Sequence, residues 1–134
     1  MVDVARIESV ASLAALPPTV RADLAAAFEE VTVPLGEHVA KQGDFAYELF
    51  AIVEGTARVE QDGVVVARLG PGDLFGELGV LLTGRRTAAI VAETPMQLLV
   101  LFEQAFRRLS REHPALGELV HAQTRGRFTR PAPV

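Results

Sequence analysis

The sequence predicts a mainly β domain, a jelly-roll-like β-roll (a double-stranded β-helix) with helices at both ends. From Val31 onward, short runs of Val, Ile, Leu and Phe alternate with turn residues, a spacing typical of small barrels and jelly rolls. Before and after this region, apolar residues recur at helical spacing. The 134 residues suit one domain. It would consist of N-terminal helices over 1–29, the β-roll over 30–102, C-terminal helices over 103–128 and a tail over 129–134.

The first 29 residues predict two helices. Apolar residues of the first recur at helical spacing, at Val4, Ile7, Val10 and Leu13. Pro17 and Pro18 end this helix, because proline cannot continue one. A second helix would then begin and carry, on one face, Val20, Leu24 and Phe28.

The clearest β signal is Asp62-Gly63, which lies between two apolar runs over 57–60 and 64–67. It predicts a tight hairpin, because a primed turn needs positive φ at its centre. Two more strands are expected near 87–93 and 97–102, on either side of Thr94-Pro95. A helical pattern then resumes at Glu103 and breaks at His113-Pro114. The last helix should end near Phe128, and its apolar face would carry Leu116, Leu119 and Val120.

Composition excludes several classes of protein. Hydrophobic residues make up 49% of the chain and charged residues 22%, which excludes a disordered chain. The formal net charge of −4 disfavours general nucleic-acid binding. The absence of cysteine excludes disulfides, thiolate metal sites and cysteine nucleophiles. The apolar runs are far shorter than the roughly 20 residues of a membrane span, and no signal peptide is evident, so we expect a cytoplasmic protein without a membrane span.

The stretch from 72 to 91 carries the candidate chemistry. A short helix after Gly76-Glu77 would direct unpaired backbone N–H groups outward, and such groups bind anions. The guanidinium of Arg86 suits a phosphate, which it can contact with two parallel hydrogen bonds. The carboxylate of Glu77 can accept hydrogen bonds from hydroxyls. A ligand that carries both a phosphate and hydroxyls is a sugar phosphate, so this is the class of ligand that the stretch predicts. Arg85 is interpreted as a solvated neighbour.

This stretch resembles the phosphate-binding cassette of cyclic nucleotide-binding domains of the catabolite-activator and kinase-regulatory-subunit type. The matching residues are Phe75-Gly76-Glu77-Leu78-Gly79-Val80-Leu81 and Arg86-Thr87-Ala88-Ala89-Ile90. The family's glycine turns are also matched in order, by Leu35-Gly36-Glu37, Gln42-Gly43-Asp44, Glu54-Gly55 and Gly72-Asp73. The resemblance extends over roughly residues 20–125.

The resemblance implies a regulatory, non-enzymatic domain that needs no cofactor and binds a cyclic nucleotide, cAMP being favoured over cGMP. Arg86 would pair with the cyclic phosphate and Glu77 would accept the ribose 2′-hydroxyl. Backbone near Gly76, Leu78, Gly79 and Ala88 would complete the phosphate cradle, with Thr87 beside phosphate and base. The base cavity would be lined by Val59, Val66, Ala67 and Leu69. The last helix would act as a lid, with Arg127 and Phe128 as candidate contacts, and would relay occupancy to an effector that the sequence does not identify.

The chain departs from the family pattern in two ways that bear on its partners. Ala89 replaces a residue that is often polar. The last helix is weak and no helix-turn-helix follows it, which predicts no DNA-binding domain in this chain and leaves a homodimer open.

Two alternatives remain. Arg86 and Glu77 would form only a surface ion pair if the site binds no phosphate, and the chain would then be a nucleotide-free interaction module of the same fold. A metal-dependent cupin enzyme would need clustered ligands, but the histidines, interpreted as surface residues, are widely spaced at His38, His113 and His121. No metal site is therefore predicted. Five phenylalanines are predicted to be core residues rather than base-stacking platforms: Phe45, Phe50, Phe75, Phe102 and Phe106.

Overall fold

The computed structural model describes residues 1–76 and 84–128, with the side chains of 121 and 123–128 left out. The helices are α1 (Val4–Glu8), α2 (Ala11–Ala14), α3 (Pro18–Ala27), α4 (Glu103–Glu112) and α5 (Pro114–Phe128). The strands are β1 (Glu29–Val33), β2 (His38–Ala40), β3 (Glu48–Glu54), β4 (Ala57–Gln61), β5 (Val64–Leu69), β6 (Leu74–Phe75), β7 (Ala89–Ala92) and β8 (Met96–Phe102).

The strands form two antiparallel four-stranded sheets. One has the order β1-β8-β3-β6 and the other has the order β2-β7-β4-β5. Strands that are distant in sequence are therefore neighbours in each sheet, as in a jelly roll. The predicted fold class, mainly β with flanking helices, is confirmed.

Two apolar cores lie on opposite faces of the first sheet, because alternate residues of β3 and β8 point in opposite directions. One face meets the helices in the helical core, to which these strands contribute Leu49, Ala51, Leu99 and Leu101. The other face meets the second sheet in the inter-sheet core, to which they contribute Phe50, Ile52, Leu98 and Val100. Burial on both faces explains why these strands are continuous apolar runs rather than alternating ones.

The prediction of one N-terminal helix before Pro17 is wrong, because the structure has two short ones. Val10, which precedes α2, is extended with φ −97° and ψ 109°. Just before it, at the end of α1, the hydroxyl of Ser9 donates a 2.6 Å hydrogen bond to the Arg6 carbonyl. The apolar side chains are nevertheless buried at Ile7, Val10 and Leu13.

The next helix, α3, follows the prediction in its main features. It begins at Pro18 and buries Val20 and Leu24 in the helical core. Phe28 follows the helix in extended conformation and is also buried.

The predicted hairpin is present between β4 and β5. Both turn residues have positive φ, 52° at Asp62 and 81° at Gly63. The break between α4 and α5 also lies at the predicted His113-Pro114. Leu116 and Val120 of α5 are buried in the helical core. Among the described residues, no helix has the length and apolarity needed to cross a membrane.

The prediction that five phenylalanines are core residues is partly wrong. Phe50, Phe75 and Phe106 are buried. Phe45 is 57% exposed, and the Arg85 guanidinium lies 4.0 Å from its ring centroid. Phe102 is 52% exposed, since it ends β8 opposite the first residue of β3.

Candidate functional site

Arg86 is a buried cation at the centre of the candidate site, with 7% of its surface exposed. Its backbone is fixed on both sides by the turn before β3. The Arg86 N–H donates to the Asp44 carbonyl at 2.7 Å, and the Arg86 carbonyl accepts from the Gly43 N–H at 2.9 Å. This burial is contrary to the alternative that Arg86 is half of a surface ion pair.

The guanidinium of Arg86 is held by groups of β3 and by Gly76, the residue that follows β6. Nη2 donates to the Glu48 carbonyl at 2.8 Å, and Nη1 donates to the Gly76 carbonyl at 3.2 Å. The Glu48 carboxylate lies 3.7 Å from Nη2, and the Phe50 ring centroid is 5.2 Å from the guanidinium carbon. These contacts fix the orientation of a positive charge before any ligand binds. A fixed charge shielded from water attracts an anion more strongly than an exposed arginine does.

Gly76 is required by this arrangement. Its φ is +95°, a region that L side chains rarely adopt. A Cβ there would lie 2.6 Å from Arg86 Nη1 and 2.8 Å from the Glu48 carbonyl oxygen. The Arg86 side chain occupies the space that a Cβ at residue 76 would need.

Two clefts meet at Arg86. The narrower one is lined by Ala40, Phe75, Gly76, Arg86, Thr87, Ala88 and Ile90. The other has a volume of about 220 Å³ and is lined by His38, Val39, Ala40, Lys41, Asp44, Phe45, Glu48 and Arg86. The narrower cleft brings Gly76, Arg86, Thr87 and Ala88 together, and their contact with a ligand stays a prediction. Three further residues of this cleft were not predicted as site residues: Ala40, Phe75 and Ile90.

Gln61 is another residue that the sequence did not indicate. Its Nε2 donates a 3.1 Å hydrogen bond to the Thr87 carbonyl, which ties the segment after Arg86 to the end of β4. Gln61 and Thr87 are 26 positions apart. No local pattern pairs them, because the contact depends on β4 and β7 being neighbours in the second sheet.

The four residues predicted to surround a base lie on β4 and β5. Val59 and Leu69 are buried in the inter-sheet core. Val66 and Ala67 are half-buried and both pack on that core, although they are adjacent in sequence. A β-bulge explains this, since Val59 pairs with Ala67 while the next residue pairs with Val65. None of the four lines the clefts at Arg86, so their contact with a base stays a prediction.

Other predicted site residues fall outside what the structure describes. Glu77, Leu78 and Gly79 are not among the described residues. Arg127 and Phe128 belong to α5, but their side chains are not described.

Arg85 differs from its neighbour Arg86. It is exposed, its guanidinium stacks over Phe45, and Nη1 donates to the Gly43 carbonyl at 3.1 Å.

The histidines also differ from one another. His38 is exposed and lines the larger cleft. The interpretation of His113 as a plain surface residue is wrong, because 19% of its side chain is exposed and Nε2 lies 2.7 Å from the Asp23 carboxylate.

The family model for the cyclic nucleotide-binding domain matches residues 30–113. A cAMP-dependent protein kinase regulatory subunit of Emericella nidulans is 34% identical over 105 residues, which are 77% of this chain and 26% of the relative. A cyclic AMP receptor protein of Thermus thermophilus is 35% identical over 92 residues, 65% of this chain and 43% of the relative. The chain therefore spans less than half the length of either relative.

Solved structures share the same fold. One described as "cAMP bound PfPKA-R" has a TM-score of 0.83 at 25% identity, and the match covers 94% of this chain and 44% of that one. The Thermus thermophilus catabolite activator protein has a TM-score of 0.79 at 29% identity, with 88% and 58% covered. The regulatory subunit of a cAMP-independent protein kinase A from Trypanosoma brucei has a TM-score of 0.82 at 23% identity, with 96% and 45% covered, which shows the fold alone.

Proposed function

The chain belongs to the cyclic nucleotide-binding domain family, and on that premise we propose that it binds cAMP, in preference to cGMP, without converting it. The observation that carries this proposal is the buried and fixed guanidinium of Arg86. A cyclic phosphate carries one negative charge and must lose water to enter such a site. The guanidinium of Arg86 offsets the cost of removing water from the phosphate. Because Arg86 is itself shielded from water, its attraction for the phosphate is only weakly screened.

The remaining contacts are assigned around this ion pair. Backbone groups near Gly76, Leu78, Gly79 and Ala88 bind the phosphate oxygens. Glu77 accepts the ribose 2′-hydroxyl. The apolar wall of β4 and β5 faces the base, with Val66 and Ala67 at its accessible edge and Val59 and Leu69 behind them.

The relatives support the preference for cAMP. The fungal relative is the regulatory subunit of a cAMP-dependent kinase, and the bacterial relative is a cyclic AMP receptor protein. Thr87 keeps cGMP a second ligand. It lines the narrower cleft beside Arg86, where its hydroxyl can also bond the 2-amino group of guanine.

We further propose that occupancy is relayed to the C-terminal helices through the start of β3. The Glu48 carbonyl holds Arg86, while the carbonyl of the preceding residue, Tyr47, accepts a 2.8 Å hydrogen bond from the N–H of Glu103, the first residue of α4. Two consecutive carbonyls therefore link the phosphate-binding cation to α4. A shift of Arg86 towards a ligand would pull on this backbone and move α4 and α5, whose Arg127 and Phe128 then close over the base.

A nucleotide-free interaction module of the same fold is the second candidate. The Glu48 carboxylate favours it, because it lies 3.7 Å from Arg86 and offsets part of that charge without a ligand. The cupin alternative is dropped, because the chain belongs to the cyclic nucleotide-binding domain family.

The experiment that tests the proposal compares Arg86→Ala with Arg85→Ala by isothermal titration with cAMP. Removal of the buried cation should weaken binding on the order of a hundredfold or more. Arg85→Ala is the matched control and should change affinity only slightly, because the Arg85 guanidinium is exposed and stacks on Phe45. Circular dichroism of both variants checks folding. An equal loss in the two variants, or a larger loss in Arg85→Ala, would contradict the assignment of Arg86.

A further inference from the structure

A second cluster of polar side chains lies away from the clefts at Arg86. Asp23 of α3, Glu112 at the end of α4 and His113 between α4 and α5 each offer one ligand atom, and these atoms lie within 4.8 Å of one another. None of the three residues lines either cleft at Arg86. This cluster is therefore independent of the proposed nucleotide site.

The histidine is the fixed member of the cluster. His113 has φ −132° and ψ 88°, outside the helical region, and its N–H donates to the Leu109 carbonyl at 2.8 Å. Pro114 follows directly and restricts its backbone further. The ring is mostly buried, and Nε2 lies 2.7 Å from Asp23 Oδ2. The imidazole nitrogen that faces the cluster thus has a defined position.

The two carboxylates can adjust to a metal ion. The side chains of Asp23 and Glu112 are 51% and 48% exposed. Ligand atoms bound tetrahedrally to zinc at about 2.0–2.1 Å lie about 3.3 Å apart, so rotations of these two side chains would complete the site. Glu112 also lies 3.7 Å from Arg108, but an exposed ion pair of this kind is weak and gives way to a metal ion.

We propose that Asp23, Glu112 and His113 form a binding site for a divalent transition metal of the zinc class, which ties α3 to the junction of α4 and α5. Zinc accepts both imidazole nitrogen and carboxylate oxygen as ligands, so one imidazole and two carboxylates can supply three positions, with the fourth left to water. Calcium and magnesium prefer six or more oxygen ligands, which two carboxylates do not supply. The metal would join helices that otherwise meet through the helical core and the contact between His113 and Asp23.

The test is isothermal titration of the untagged, chelator-stripped chain with zinc chloride and, separately, magnesium chloride. The site predicts saturable binding of one zinc ion per chain in the micromolar range or tighter, and no binding of magnesium at millimolar concentration. Asp23→Asn, Glu112→Gln and His113→Gln should each weaken zinc binding at least about tenfold. His38→Gln removes an exposed histidine elsewhere and should leave zinc binding unchanged.

Thermal unfolding supplies the second measurement. Zinc should raise the melting temperature of the unaltered chain and of His38→Gln, but not that of Asp23→Asn, since only a ligand that binds the folded state stabilises it. If His113→Gln fails to fold, the Asp23 and Glu112 variants decide the result, because their side chains are half exposed. Absence of saturable zinc binding, its survival in both carboxylate variants, or its loss in His38→Gln would overturn the proposal.

Discussion

Gly76→Ala tests how the structure positions its central cation. The substitution adds a single methyl group, 2.6 Å from Arg86 Nη1 and 2.8 Å from the Glu48 carbonyl oxygen. The Glu48 carbonyl belongs to β3, which is paired with β8 and β6 and cannot move far. The Arg86 side chain must therefore move, and with it the charge that is proposed to bind the phosphate.

Two costs combine in this variant. Positive φ at a residue other than glycine costs about 1–3 kcal/mol. Displacement of the guanidinium also breaks its hydrogen bonds to the Gly76 and Glu48 carbonyls, and a hydrogen bond to a charged group contributes about 1.5–3 kcal/mol. Because the arginine can relax and re-form part of these contacts, we expect a total loss of about 2–4 kcal/mol of unfolding free energy. cAMP affinity should fall at least about tenfold.

Gly72→Ala is the matched control. Its φ of +92° is nearly that of Gly76, but a Cβ there meets no atom within 4 Å. Urea denaturation measures the backbone strain in both variants, and the difference between them isolates the clash with Arg86 and Glu48. Titration with cAMP then reports whether the cation has moved. Equal destabilisation of the two variants, together with unchanged affinity in Gly76→Ala, would refute the inference that Arg86 is held against Gly76.

Three further predictions address the ligand and its relay. Thr87→Ala should weaken cGMP binding more than cAMP binding in parallel titrations, and equal losses would show that Thr87 contacts only the phosphate. Glu48→Gln should raise cAMP affinity about two- to fivefold at low salt, because it removes a partly exposed negative charge beside Arg86; a fall in affinity would instead make the carboxylate a positioning group. Hydrogen exchange over 115–128 should slow when cAMP is added, and unchanged exchange there would exclude α5 as the relay.

The fold is predictable because its signals are local. The hairpin depends on Asp62-Gly63, whose positive φ values the residue types permit. The break between α4 and α5 depends on His113-Pro114, where proline disfavours helical backbone in the residue before it. The missed break between α1 and α2 is also local and lies at Val10, whose backbone is extended, directly after Ser9, whose hydroxyl bonds the Arg6 carbonyl.

The site is predictable only in part, because its support comes from distant segments. Arg86 is identifiable from its spacing to Gly76. The groups that hold it are not, since Glu48 is 38 positions away and meets it only after the sheets form. The same holds for His113 and Asp23, which are 90 positions apart. Exposure of Phe45 and Phe102 likewise follows from tertiary placement and not from their residue type.

The central claim is that this chain binds a cyclic nucleotide at Arg86 and leaves it unchanged. Isothermal titration of the untagged chain with cAMP, cGMP and linear 5′-AMP tests it most directly, followed by chromatography of the recovered nucleotide. We expect saturable binding of cAMP, weaker binding of cGMP, little binding of 5′-AMP, and recovery of intact nucleotide. Absence of both binding heat and a melting-temperature shift with millimolar cAMP and cGMP would contradict the claim, and conversion of the nucleotide would contradict the assignment as a non-enzymatic domain.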